Sequence, residues 1–219
     1  MTDIVLYDYW RSSASYRVRI ALALKEIAYQ SIDVNLLAGD HKSNSYHEIN
    51  PQGLVPALKI DGHTLTQSLA IIQYLDDTRP DGQLIPTNAL DKQRALALSH
   101  LIAMEIHPIC NSSVAQHVAK IAHGSDHEST KKQWMQHYIE RGLRRFEALL
   151  DDGKSGQFCQ GDQPGIIDCC LVSQMYNAQR WECDLSELPL ISDISQRCSH
   201  LDAFIAAHPD QNNPGIPVY

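Results

Sequence analysis

Asp61-Gly62 sits between two alternating runs, Val55-Pro56-Ala57-Leu58-Lys59-Ile60 and His63-Thr64-Leu65-Thr66, and this segment constrains the fold more than any other. A two-residue hairpin loop requires positive φ at both central positions, which Asp-Gly tolerates, so the flanking runs are expected to pair antiparallel. Gln67-Ser68 then opens an apolar stretch from Leu69 to Arg79, with Ser68 where a helix N-cap belongs. Upstream, Ile4 to Tyr7 and Tyr29 to Val34 read as strands around a helix from Ser15 to Lys25. The order is βαβ followed by ββα. Pro56 is either a plain edge proline or half of a cis Val55-Pro56 bond; the second would turn the Val55 backbone outward to pair with a bound peptide.

Both helices in this half begin at hydroxyls. Ser12, Ser13 and Ser15 fall between the first strand and the first helix, and Ser68 marks the start of the later one. The first backbone N–H groups of a helix have no intrahelical partner and the macrodipole is positive there, so each start can hold a thiolate or carboxylate. The plainer reading is that these serines only cap their own helices.

The remainder is expected to be nearly all helix. Arg79-Pro80-Asp81-Gly82 and Pro86-Thr87-Asn88 carry turn chemistry and place a linker at residues 81–90, between an α/β domain at 1–80 and an all-α domain at 91–219. A helix from Asp91 to Lys120 should kink or break at Pro108; another runs from about Thr130 to Leu150 with Leu143, Phe146, Leu149 and Leu150 inward. A third begins near Ile166, where Gly165 caps without a side-chain acceptor and Asp168 can bond back to the Gly165 amide. The tail from His208 to Gly215 is polar and expected to be mobile.

A net charge of −8 argues against a nucleic-acid partner. Six cysteines without a C-x-x-C pair are expected to be reduced and buried, and the eleven histidines, which form no H-E-x-x-H motif, are expected to hold no metal. No apolar run approaches the roughly 20 residues of a membrane span, and no charged segment followed by an apolar run opens the chain, so a cytoplasmic enzyme is expected.

The βαβ-ββα order is the thioredoxin-like layout, and the sequence resembles the glutathione transferases, in particular the zeta class that includes maleylacetoacetate isomerases. The run Ser12-Ser13-Ala14-Ser15-Tyr16-Arg17-Val18-Arg19-Ile20-Ala21-Leu22 carries the resemblance. So do Asn50 to Leu58, Gln67 to Ile72, Ile106-His107-Pro108 and Asn177-Ala178-Gln179-Arg180-Trp181. It implies a homodimeric, glutathione-dependent cis–trans isomerase acting on 4-maleylacetoacetate in tyrosine and phenylalanine breakdown. Maleylpyruvate isomerization, glutathione transfer to α-haloacids and a non-catalytic interaction role remain as alternatives.

The resemblance also assigns residues. Ser12, or its neighbour Ser13, donates to the glutathione sulfur; Ser15 lies in the same run; Val55 pairs its backbone with the cysteinyl unit; Gln67 and Ser68 take the γ-glutamyl carboxylate. His41 stands where the family commonly has glutamine at the glycyl end, and His107 and Asn111 line the site. Arg180 takes a carboxylate of the dianionic substrate, with Arg11, Arg17 and His107 as further candidates; Arg17 and Arg19 are read equally as structural or as interface residues. Ala14 replaces the family's usual cysteine, which the borrowed sulfur makes dispensable. A thiol of pKa near 8.5 is only about 3% thiolate at neutral pH, and lowering that pKa by about two units requires roughly 2.7 kcal/mol of preference for the anion. One charge-assisted hydroxyl bond plus a helix N-terminus can supply it.

Overall fold

The computed structural model describes residues 3–122 and 126–215. The chain divides into two compact units. The first holds the residues up to Ile85 together with a segment returning from Ser199, and the second runs from Pro86 to Cys198. The helical domain expected at 91–219 is thus shorter than its sequence limits suggest, because its last segment folds onto the α/β unit.

In the first unit four strands form one sheet in the order β2-β1-β3-β4, where β1 is Val5–Asp8, β2 Gln30–Asp33, β3 Ala57–Ile60 and β4 His63–Thr66. β1 runs parallel to β2 and antiparallel to β3, and β3 pairs antiparallel with β4 with Ile60 opposite His63. Asp61 and Gly62 turn the hairpin at φ 52° and 77°, as the Asp-Gly signal requires. Helices α1 (Ser13–Leu24) and α3 (Ser68–Thr78) pack on each other, and Leu6, Ile20, Leu22, Leu58, Ile60 and Ile71 are fully buried. A short helix, α2 (Asn44–Ile49), lies between β2 and β3; its six residues are too few to show a helical period in the sequence.

In the second unit α4 (Ala89–His100) runs into a π-helical turn at Leu101–Ile106, and the chain breaks at His107-Pro108 before α5 (Ser112–Ile121). The expected single helix is therefore three pieces, with the wide turn taken just ahead of the proline. A Cβ on Gly142 would collide with Ile106, so helix α6 (His127–Leu150) can approach this turn only through a glycine. Helix α7 (Ile166–Arg180) packs against α4, the π-helical turn, α6 and α8 (Pro189–Cys198), and is buried along almost its whole length. Asp168, 1% exposed, accepts from the Gly165 amide at 2.8 Å and the Cys159 amide at 3.0 Å, which joins the helix start to the loop before it.

Helix α9 (Asp202–Ala207) packs on α1, and the Asn212 side chain donates to the Ala206 and His208 carbonyls.

Candidate active site

The first unit gathers seven of the residues singled out in the sequence: Ser12, Ser13, Ser15, His41, Val55, Gln67 and Ser68. The second holds His107, Asn111 and Arg180.

Ser12 is the N-cap of α1, its backbone extended at φ −69°, ψ 120°, and its Oγ accepts the Ser15 amide at 3.2 Å. The capping role and the anion-binding role are compatible, since the oxygen takes the amide hydrogen and leaves the hydroxyl hydrogen to donate outward. Ser12 is half-buried, whereas Ser13 is buried and Ser15 fully enclosed. The Ser15 hydroxyl therefore lies beneath the surface, and its amide supports Ser12.

Ser68 is the first residue of α3, and the N-cap is Gln67, a correction to the capping place expected of Ser68. Gln67 sits at φ 67°, a region a long side chain rarely adopts, and its amide nitrogen donates to Gln52 Oε1 at 3.1 Å. Ser68 is one residue inside the helix, and its Oγ accepts from the buried Arg17 guanidinium at 3.3 Å. As with Ser12, a cationic or amide donor occupies the oxygen, and the hydroxyl hydrogen is left for an anion at the helix start.

Val55 lies two residues ahead of β3 on a cis bond to Pro56. The carbonyl just before it, Leu54 O, accepts from both Tyr46 Oη and Asn50 Nδ2 at 2.7 Å, and Tyr46 and Asn50 are buried. These two anchors escape the sequence reading; Asn50 had a signal in its motif, Tyr46 had none. Gly53, at φ 62°, completes the turn where a Cβ would come 3.0 Å from the His41 carbonyl oxygen.

His41 Nδ1 is buried without a partner, as are Trp10 Nε1, Arg11 Nε and Ser15 Oγ in the same unit. Arg11 lies over the Trp10 ring, 4.7 Å from its centroid. Of these, the enclosed Ser15 hydroxyl lies too deep to reach a ligand; the His41 and Arg11 atoms, with the Ser12 and Ser68 hydroxyls at two helix starts, fit an extended peptide carrying anionic groups. Burial, then the neighbouring Lys42, holds the His41 pKa below the ordinary imidazole value. His41 is thus neutral at pH 7 to 8 and gains its proton only on acidification. Affinity for a peptide with a free glycyl carboxylate is expected to be flat across pH 7–8 and to rise toward pH 5.5, a rise abolished in His41→Gln; titration calorimetry at the two ends of the range reads it.

In the second unit His107 occupies the break after the π-helical turn, half-buried. Asn111 caps α5, its Oδ1 taking the Ser113 amide at 3.0 Å and the Ser113 hydroxyl at 2.9 Å, so that oxygen is committed and only the amide nitrogen remains for a ligand. Arg180 is the exposed last residue of α7. Cys110 is buried, and that burial pushes its thiol up to about 12, which leaves it a poor nucleophile beside these residues.

Residues 2–77 match the family model of the glutathione S-transferase N-terminal domain. The chain is 52% identical to the maleylacetoacetate isomerase of Rhizobium meliloti (strain 1021), over 97% of its own length and 99% of that protein. It belongs to the maleylacetoacetate isomerase family. Two solved structures are also close. One is a holo structure of a maleyl pyruvate isomerase, a bacterial zeta-class glutathione S-transferase, at 37% identity and a TM-score of 0.92, covering 97% of this chain and all of that one. The other is a maleylacetoacetate isomerase from Methylobacterium extorquens AM1 with malonate and glutathione bound, at 37% identity and a TM-score of 0.91, covering 98% of this chain and 100% of that one.

Proposed function

We propose that the chain is a glutathione-dependent cis–trans isomerase of the zeta class, converting 4-maleylacetoacetate to 4-fumarylacetoacetate in tyrosine and phenylalanine breakdown. The observation that carries the proposal is the half-buried Ser12 hydroxyl, its oxygen held by the Ser15 amide at the start of α1, in a chain 52% identical to a maleylacetoacetate isomerase.

When bound, glutathione supplies a sulfur nucleophile that adds to the conjugated carbon, leaves after rotation about the resulting single bond, and is returned unchanged. Ser12 donates its hydroxyl hydrogen to that sulfur and, with the α1 dipole, favours the anion; serine's own pKa is too high for it to act as a base. Ser68, steadied by Arg17, and Gln67 receive the γ-glutamyl carboxylate at the α3 start, while Val55 offers its backbone and His41 its imidazole. Arg180 supplies a planar fork for a substrate carboxylate, with Arg11 and His107 as further polar partners. The malonate-bound relative, a dicarboxylate complex, supports this substrate class.

A second reading, maleylpyruvate isomerization, is favoured by the 0.92 TM-score to a maleyl pyruvate isomerase. Spectrophotometric turnover with each cis acid and glutathione decides between them, and dichloroacetate as a third substrate tests transferase activity. Arg180→Ala is expected to raise the KM for the dianionic substrate about tenfold with a smaller change in kcat, the pattern of a lost binding contact. Turnover of neither cis acid, or equal conversion without glutathione, would end the proposal. Assembly as a homodimer and a cytoplasmic location belong to the same proposal; light scattering on the purified protein reads the first. Among the described residues no helix is long and apolar enough to cross a membrane.

A further inference from the structure

Arg19 lies within α1 and is fully buried, yet its guanidinium meets three separate parts of the chain. Nη1 donates to both Asp8 carboxylate oxygens at 2.9 and 2.8 Å, at the end of β1. Nη2 donates to the Trp10 carbonyl at 2.9 Å, two residues before Ser12. Nε donates to the Ala207 carbonyl at 3.0 Å, the last residue of α9, where the helix dipole is negative. The Tyr16 ring faces the guanidinium at 5.3 Å and meets His208 edge-on at 6.1 Å. Tyr29, Asp33 and Tyr46 are the other titratable groups that face Asp8, and burial pushes all three pKa values up.

We propose that Arg19 is a positioning residue for the glutathione sulfur: its fork ties the Tyr9–Ser12 loop to the returning C-terminal helix, so that α9 helps hold the Ser12 hydroxyl in its donating place. The inference rests on the reading of Ser12 given above. A buried ion pair adds little net stability compared with an apolar pair of the same volume, so its use here is geometric. The loop's own backbone bonds are few: the Ser12 amide to Tyr9 O and the Tyr16 amide to Ser12 O, both 2.8 Å. They fix Ser12 relative to its neighbours, but Arg19 fixes Trp10 relative to the sheet and to α9. Asp8 neutralises the guanidinium at contact distance, which leaves position rather than charge as its contribution.

Arg19→Lys separates the two, because lysine keeps the charge but cannot bridge three acceptors in one plane. The thiolate absorbance of bound glutathione, followed against pH, is expected to show its thiol pKa raised by about one unit in this variant. In the same variant kcat at neutral pH should fall about tenfold, and the Kd for S-methylglutathione, which has no ionisable thiol, should change by less than about threefold. A lower melting temperature with an unchanged thiol pKa and kcat would make Arg19 merely structural and overturn the proposal. If Arg19→Lys does not fold, Asp8→Asn carries the test: it loosens the same fork, so an unchanged thiol pKa there overturns the proposal equally. Failure of the unaltered protein to bind S-methylglutathione would instead strike the underlying site assignment.

Discussion

Ser12→Ala lowers kcat by about a hundredfold while the affinity for S-methylglutathione moves by less than about threefold, because only the bond to the anionic sulfur is lost and the carboxylate contacts at α3 are untouched. A charge-assisted hydrogen bond is worth about 1.5–3 kcal/mol, which spans roughly ten- to more than a hundredfold in rate. The substitution also removes the α1 cap, so the Ser15 amide loses its acceptor and the protein loses about 1 kcal/mol of stability. In a chain of this size that is a fall of about 2–4 °C in melting temperature, small enough to leave the enzyme folded for assay. Ser13→Ala is the control. Its side chain is buried, and its removal is expected to leave kcat within about threefold; a larger loss in Ser13→Ala than in Ser12→Ala would exchange their roles. Steady-state kinetics with titration calorimetry on both variants supplies every quantity required.

Asp168→Ala costs about 3 kcal/mol of folding stability and lowers the melting temperature by about 10 °C, with little effect on KM. Asp168 satisfies two amides at once, Gly165 N–H opening α7 and the fully buried Cys159 N–H in the preceding loop, and alanine leaves both without a partner. Burial pushes the Asp168 carboxyl pKa up, and the two amide bonds oppose that shift. Gly165 brings no side-chain acceptor to the helix start, so no neighbouring cap is available to take over. Asp168→Asn, which keeps one acceptor oxygen, should lie between. Thermal unfolding of the two variants tests the assignment; a loss below about 1 kcal/mol in Asp168→Ala would show that the helix start is held by packing alone.

The parts of this architecture written in short-range patterns were legible in the sequence. The Asp61-Gly62 hairpin, the strand at His63–Thr66, the start of α7 at Ile166 and the break at Pro108 all rest on residues whose backbone chemistry leaves few options. That a serine among Ser12, Ser13 and Ser15 caps α1 was legible for the same reason; that it is Ser12 was not. Illegible were features in which a residue's local preference yields to a distant partner. Ser68 reads as a cap from its neighbours, yet the helix starts at Ser68 itself behind Gln67 at positive φ, and the Ser68 oxygen meets Arg17, 51 residues away in sequence. Tyr46 and Asn50 converge on one carbonyl through a turn whose closure no periodicity announces.

What the sequence determined by itself is therefore the order of elements, the placing of hydroxyls at two helix starts, and, through its resemblance to the glutathione transferases, the family. What only the tertiary structure decided is which hydroxyl faces outward, which is enclosed, and where the chain's polar end goes. The segment after Ser199 carries no strong local signal, and its place on α1 follows from the Ala207 carbonyl meeting the Arg19 guanidinium 188 positions earlier in the chain. Side-chain hydrogen bonds across such separations depend on three-dimensional proximity, which residue order along the chain does not encode in any local pattern.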